Sequence, residues 1–383
     1  MKIYLIAGEP SGDRLGAALM AGLRLLAPDV RFVGIGGPLM QAEGMQSLFP
    51  MEELSVMGLA EILPKYRHLK RRISEAAADV QAEAPDALVT IDSPDFCLRV
   101  ARIVKAAQPS LTTIHYVAPS VWAWRPGRAA KMAPVIDHVL ALLPFELPYM
   151  QRAGMTCDFV GHPVVAEPLG RADRISDGAG PVILALPGSR RGEVTRLAPV
   201  IGEVLGRIKA KHPTAQVLVP TLESVAPLVR SLSSAWPIKP QILLEKGQKR
   251  DAFARADVAI AASGTVSLEL AANGCPMVIA YKMHPLTMWL MKRAALVETV
   301  TLVNLVSETR AVPEFLGPDC RADRIAPALL RLLEEGAERD AQKAAMALTM
   351  QRLGLGGEAP GLRAAQSVLD AIACASPGPL KRV

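Results

Sequence analysis

Three turns in the sequence carry the residue types that could do chemistry. The first is Ile91-Asp92-Ser93-Pro94-Asp95-Phe96, at the end of an apolar run. A carboxylate directly after a buried strand is placed to take a proton from a substrate hydroxyl. Asp is also a common turn former, so both readings stand for Asp92, while Asp95 reads as a cap for the helix that follows. The second is Pro187-Gly188-Ser189-Arg190-Arg191-Gly192-Glu193. Here Gly188 and Ser189 make the turn, and the Arg190 guanidinium can neutralise a departing diphosphate without a metal. The third is ASGTVSLE, from Ala262 to Glu269. It sets Gly264, Thr265 and Val266 at a helix N-terminus, where N–H groups favour an anion; Ser263 and Thr265 could equally be ordinary helix caps. Glu269, about a turn further on, could reach ribose hydroxyls. Two anion-suited turns in one half, each directly after a strand, favour a nucleotide diphosphate over coincidence.

Two further stretches are less specific. Gly8-Glu9-Pro10-Ser11-Gly12-Asp13 follows the first strand but is not G-x-G-x-x-G, and no acidic residue ends the second strand, so a dinucleotide cofactor is not expected. Either Glu9 and Ser11 face a cleft, or the turn merely starts a helix with Asp13 as its cap. In HYVAPSVWAWRPGR, Trp122 and Trp124 stand beside Arg125 and Arg128. That is a packed aromatic corner, or a guanidinium pair suited to a phosphate. None of the histidines has metal-ligand spacing, so no metal is expected.

The elements that must position these residues alternate. Strands are expected at Ile3–Ala7, Arg31–Ile35, Ala87–Ile91, Thr112–Val117, Val139–Leu143 and Phe159–Val160, with helices at 15–26 and 96–107. A second series runs through Val182–Leu186, Gln216–Val219, Gln241–Leu244, Val258–Ala262 and Met277–Ala280, and the tail after Asp323 is helical. The pattern predicts an α/β protein of two doubly wound domains: 1–165, a linker over 166–180, 181–355, and a C-terminal helix and tail over 356–383 that could pack back on the first domain. A hinge between such domains would place a cleft at the carboxyl ends of both sheets.

With 383 residues, half of them hydrophobic and 21% charged, the chain is globular and neither disordered nor fibrous. A net charge of +6 suits an anionic substrate or an acidic membrane surface. Aromatics are only 4% and do not interleave with Arg, which disfavours nucleic acid. Five scattered cysteines without C-x-x-C spacing fit a reducing cytoplasm. Val56–Ile73 and Met283–Leu296 mix apolar and basic residues like interfacial helices, although packed helices look the same. Pro64 is expected to start or kink the first of them. Oligomeric state is not written in these patterns, and a homo-oligomer stays open.

Taken in order, GEPSGD, GGPLMQAEGM, MEELSVMGLAEIL, IDSPDF, IHYVAPSVWAWRPGR, LPFE, FVGHP, LPGSRRGE, ASGTVSLE and MVIAYKM resemble the lipid-A-disaccharide synthase family from Ile3 to about Leu316. The resemblance implies the GT-B glycosyltransferase fold. It implies transfer of 2,3-diacylglucosamine from UDP to the 6-hydroxyl of 2,3-diacylglucosamine 1-phosphate, with no cofactor, at the inner face of the inner membrane of a Gram-negative bacterium. By the same resemblance Asp92 is the general base and Arg190 holds the UDP diphosphate. Gly188, Ser189, Ser263, Gly264, Thr265, Glu269 and Asn304 bind the nucleotide. Glu9, Ser11, Trp122, Arg125 and Arg128 line the acceptor side. An α-linked donor giving a β-product implies inversion. Val303 stands where the family usually has Pro, and Gly317 where it commonly has Gln. The alternative is a UDP-sugar epimerase of the same two-domain build.

Overall fold

The structure, a computed structural model, describes residues 1–54, 59–124, 127–170, 180–283, 293 and 296–375, with the side chains of 59–66 outside that set. Arg125, most of the 283–296 stretch, the start of the 56–73 stretch and residues 171–179 of the expected linker therefore lie outside the described residues. The chain divides into two compact units. Unit 1 holds Met1–Ala166 and Gly356–Val383; unit 2 holds Glu167–Leu355.

Unit 1 is built on six parallel strands, β1 (Lys2–Ala7), β2 (Arg31–Ile35), β3 (Ala87–Ile91), β4 (Thr112–Tyr116), β5 (His138–Ala141) and β6 (Thr156–Phe159), in spatial order β2-β1-β3-β4-β5-β6. Every residue of β3, β4 and β5 is buried, whereas β2 and β6 at the edges are partly exposed. That gradient is what helices on both faces of a parallel sheet produce, and it explains why the central strands read as unbroken apolar runs. Thr90 is the polar exception in β3. Its hydroxyl donates to the Ile114 carbonyl, so the His115 Nδ1–H donates to it across 2.7 Å, and burial of this neutral imidazole pulls its pKa down to about 4.

Helices connect these strands. The Pro10–Leu26 helix starts five residues earlier than its apolar periodicity suggests, because Pro10 suits the first helical position. Asp13 does not cap that helix. Its buried carboxylate accepts the N–H groups of Gly37, Leu39 and Met40 and so fixes the start of the Pro38–Ala42 helix. Leu59–Glu83 is one helix, so Pro64 does not mark its start. The Pro360–Ala375 helix lies against Pro10–Leu26, where a Cβ on Gly22 would fall 2.6 Å from the Gly361 carbonyl oxygen; two glycines let the backbones meet. Ser367 of that helix bonds His138 Nε2 at 2.8 Å and donates to Asp158 at 2.6 Å.

Unit 2 repeats the architecture with β7 (Val182–Leu186), β8 (Gln216–Pro220), β9 (Gln241–Leu243), β10 (Val258–Ala261), β11 (Met277–Tyr281) and β12 (Glu314–Leu316), all parallel, in order β12-β11-β10-β7-β8-β9. β12 was not legible beforehand. It is three half-buried residues at the sheet edge, too short for a period to show.

The strand orders decide where ligands can bind. In unit 1 the chain leaves β1 for β2 on one side, then returns to β3 on the other; in unit 2 it leaves β7 for β8 and β9, then returns to β10. The gaps between β1 and β3, and between β7 and β10, are topological switch points, where the loops at the strand carboxyl ends part and leave a crevice. Ala7 pairs with Ile91, and Leu186 with Ala261, at those two points.

Candidate active site

In unit 1 the switch-point loops are GEPSGD after β1 and IDSPDF after β3. Asp92 and Ser93 both take left-handed backbone conformations, with φ of 53° and 43°. Non-glycine residues held there carry on the order of 1–3 kcal/mol of strain each, a feature that clusters at functional sites. The surrounding bonds enforce it. Asp92 N–H donates to the Tyr116 carbonyl of β4, and one Asp92 carboxylate oxygen accepts the Ser93 N–H at 2.9 Å. The other oxygen accepts the Ser11 hydroxyl at 3.3 Å, which brings together two residues 81 positions apart. Gly8 makes the approach possible, since a Cβ there would lie 2.6 Å from Ser93 Oγ. Asp92 is half-buried and Ser11 exposed, so the carboxylate keeps a face open to a substrate hydroxyl. Glu9 is half-buried at the start of the Pro10–Leu26 helix, its carbonyl accepting the Asp13 N–H.

Trp122 is packed inside. It is buried, stands edge-on to Phe145 at 5.1 Å, and donates its indole N–H to Glu146 at 3.1 Å. Glu146 is itself buried, which pushes its pKa up to about 7 against the pull of the Leu143 N–H and the indole. The aromatic-corner reading describes Trp122, not an acceptor-lining one. Arg128 is separate from it, lining a basic cavity with Asp95. Asp95 makes no cap, since Ser93 holds the cap position of the Pro94–Ala107 helix and no side-chain capping bond forms.

In unit 2 the two switch-point turns close round one cavity of about 400 Å³. Gly188, Ser189, Arg190, Ser263, Gly264, Thr265 and Glu269 all line it. Gly188 and Gly264 take φ of 112° and 131°, backbone states that L side chains rarely adopt. The two turns offer different groups. After β7, the Ser189 and Arg190 N–H groups already donate to Glu193, at 3.1 and 3.2 Å, so this turn does not present those amides to a ligand. It presents the Arg190 guanidinium, largely exposed and 3.3 Å from Glu193. After β10, neither Ser263 nor Thr265 caps the Val266–Ala272 helix; Ser263 bonds the Val300 carbonyl at 3.4 Å. The N–H groups of Gly264, Thr265 and Val266 have no acceptor among the described residues. Glu269 pairs with Lys249 at 2.8 Å.

Asn304 is not brought to this cavity. It is buried, its amide nitrogen donating to Val312 O and Thr299 Oγ1 while its oxygen accepts the Val312 N–H. These bonds tie the loop between β11 and β12 together, which is a positioning task. Sequence reasoning missed Lys249 and Glu193. Lys249 sits in a helix with no apolar stripe, and only the fold brings it to the cavity. Glu193 was visible three residues after Arg190, the spacing of a capping box. No group of three His, Cys, Asp or Glu side chains among the described residues could hold a metal.

Across residues 3–359 the chain matches the family model described as lipid-A-disaccharide synthetase. It is 61% identical over 385 residues to a lipid-A-disaccharide synthase of Ruegeria pomeroyi, covering 97% of this chain and 95% of that one. It is 47% identical to one of Rhodospirillum centenum, covering 97% and 94%. Among solved structures it resembles a UDP-GlcNAc 2-epimerase of Neisseria meningitidis bound to UDP-GlcNAc, with TM-score 0.65, 13% identity, and 98% and 100% covered. An Acinetobacter baumannii MurG gives TM-score 0.57, 13% identity, and 97% and 99% covered. At such identity the structural likeness speaks for the GT-B fold and not for the reaction, so it lends the epimerase alternative no support. The sequence relatives weigh against that alternative. With its motifs standing at both switch points, the chain belongs to the lipid-A-disaccharide synthase family of glycosyltransferases.

Proposed function

We propose that the chain joins UDP-2,3-diacylglucosamine to 2,3-diacylglucosamine 1-phosphate with inversion, releasing UDP. Asp92 takes the proton of the acceptor 6-hydroxyl as that oxygen attacks the donor anomeric carbon. The bond from that carbon to the diphosphate oxygen breaks, and its electron pair leaves on UDP. Arg190 and the unpartnered amides of residues 264–266 meet the charge that develops there. Glu269, released from Lys249, accepts the ribose hydroxyls.

The observation that carries this reading is the unit 2 cavity, in which two turns far apart in sequence set a guanidinium and unpartnered amides around one space. Both substrates are acylated, and no helix among the described residues is long and apolar enough to cross a membrane. A peripheral place on the inner face of the inner membrane fits both facts.

Incubation with both acylated substrates tests the proposal. Equal amounts of UDP and disaccharide are expected. UDP release without disaccharide, or turnover of a water-soluble UDP-sugar alone, would overturn it.

A further inference from the structure

Beyond Asp92, unit 1 contains a second chemically distinctive place. A cavity of about 180 Å³ lies between the Pro94–Ala107 and Gly127–Met132 helices. Arg99 and Arg102 enter it from the first helix, Arg128 and Lys131 from the second, against a single carboxylate, Asp95. None of the four cations has an ion-pair partner among the described residues. That is a local choice, not a property of the helix. Lys105, three residues beyond Arg102 on the same helix, pairs with Asp137 at 2.7 Å. Elsewhere in unit 1, Lys2 holds Glu83, Arg24 holds Glu43, and Arg72 holds both Glu53 and Glu75.

Four like charges round a single carboxylate repel one another, and the cost falls when a dianion enters. Guanidinium forks match phosphate oxygens in pairs, and a phosphate monoester carries close to two charges at neutral pH. The cavity also stands in a telling place. It begins at Pro94 and Asp95, two and three residues after Asp92. A helix rises 1.5 Å per residue, so Arg99 and Arg102 lie roughly 8 and 12 Å along it from Pro94. A hexose whose 6-hydroxyl meets Asp92 is shorter than the farther of these distances, so a phosphate on its opposite end would fall nearer Arg99 than Arg102.

We propose that Arg99, Arg102, Arg128 and Lys131 form a phosphate-monoester site that holds the phosphate of the acceptor sugar and selects phosphorylated over unphosphorylated acceptor. The inference rests on the acceptor reading of unit 1 given above. Asp95 opposes entry of an anion, and its single charge is outweighed when several of the four cations close on one dianion.

The test measures acceptor binding by the full chain without donor, using 2,3-diacylglucosamine 1-phosphate and its dephosphorylated analogue in detergent micelles. Wild type should bind the phosphorylated compound at least tenfold more tightly. Arg99→Gln/Arg102→Gln should lose most of that preference while binding of the analogue and of UDP stays unchanged, and Arg99→Lys/Arg102→Lys should keep part of it. Unchanged UDP binding and an unchanged melting temperature show that the variants fold. A wild type without preference, or equal weakening toward both acceptors, would overturn the site. So would retained preference with lost binding to phosphatidylglycerol vesicles relative to phosphatidylcholine ones, which assigns the cations to a lipid headgroup. Because the assay needs no turnover, selective binding without disaccharide synthesis would retire the transferase reading and leave the phosphate site standing.

Discussion

Units 1 and 2 carry nearly the same sheet yet arm it with opposite chemistry. Counted within each unit, the strand order is 2-1-3-4-5-6 in the first and 3-2-1-4-5-6 in the second, so one strand has changed flank and the switch point remains beside the first strand. At that point unit 1 offers a carboxylate on strained backbone, supported by a serine hydroxyl. Unit 2 offers a guanidinium, a lysine and unpartnered amides round a cavity of about 400 Å³. Their interiors differ as well. The buried polar residues of unit 1 include Asp13, His115, His138, Glu146 and His162, whereas those described in unit 2 are only hydroxyls and amides. A doubly wound sheet thus fixes where a site forms, and the loop residues decide which chemical groups it offers.

The comparison breaks first at Asp92. If unit 1 supplies the proton acceptor and unit 2 the nucleotide site, Asp92→Asn should lower kcat about a hundred- to ten-thousand-fold, the usual worth of a positioned base. Asn keeps the left-handed backbone and an acceptor for Ser11, so UDP affinity should hold within twofold. Loss of UDP binding alongside activity would make Asp92 a structural residue and erase the division of labour.

The second difference concerns acid. His115 and His162 have pKa values pulled to about 4 by burial, from an unfolded value near 6.5. Below pH 6.5 the unfolded chain takes up protons that the folded imidazoles refuse, so each can cost about 3 kcal/mol of stability as pH falls toward 4. Glu146 works the other way. Its pKa is raised to about 7, so the folded carboxyl binds its proton first and acidification from 7 to 4.5 returns a similar amount. Two imidazoles outweigh one carboxyl, and unit 1 should soften between pH 6.5 and 4. Hydrogen exchange corrected for intrinsic rates checks this: protection of β4 should fall well before that of β8. Equal loss in both would show that buried charge does not set the order.

Arg190 gives a smaller, one-sided effect. Charge-assisted hydrogen bonds contribute roughly 1.5–3 kcal/mol, so Arg190→Ala should weaken UDP binding about ten- to a hundredfold. Acceptor binding to unit 1 should not move. Titration calorimetry with UDP and with the acceptor separates the two, and weakening of both would mean that Arg190 organises more than its own turn.

Much of this frame was legible in the sequence, for reasons that single out what was not. Ten of the twelve strands lie where apolar runs were read, most plainly the central ones, which are buried on both faces, whereas the expected Phe159–Val160 strand lies at Thr156–Phe159, where an exposed edge breaks the run. The edge strand β12 buries too little to leave such a trace. Asp92 was visible because it follows a strand directly, and Arg190 because it stands in the turn that does. The partners that decide their state were not, since Ser11 reaches Asp92 across 81 positions and Lys249 reaches Glu269 only through the folded sheet. Trp122 misled because two tryptophans beside arginines look like a ligand corner, and only a buried Glu146 shows that the indole N–H is already spent.

The faintest contrast lies in how the sites hold their charges. Unit 1 keeps Asp92 with a hydroxyl and an amide, whereas unit 2 ties Glu269 to Lys249 across the cavity it lines. Both side chains of that pair are more than a third exposed, at 41% and 34%, so solvent screens it and its worth to stability is below about 1 kcal/mol. Lys249→Met should therefore move the melting temperature of unit 2 by no more than about 4 °C. If Lys249 instead serves an incoming diphosphate, UDP affinity should fall by up to about fivefold while Tm barely changes, and the loss should shrink as salt is raised. A large drop in Tm with unchanged UDP binding would assign the pair to the framework of unit 2. Its cavity would then resemble the site of unit 1 more closely than the charges suggest, with each carboxylate held by its own fold and a single guanidinium left for the ligand.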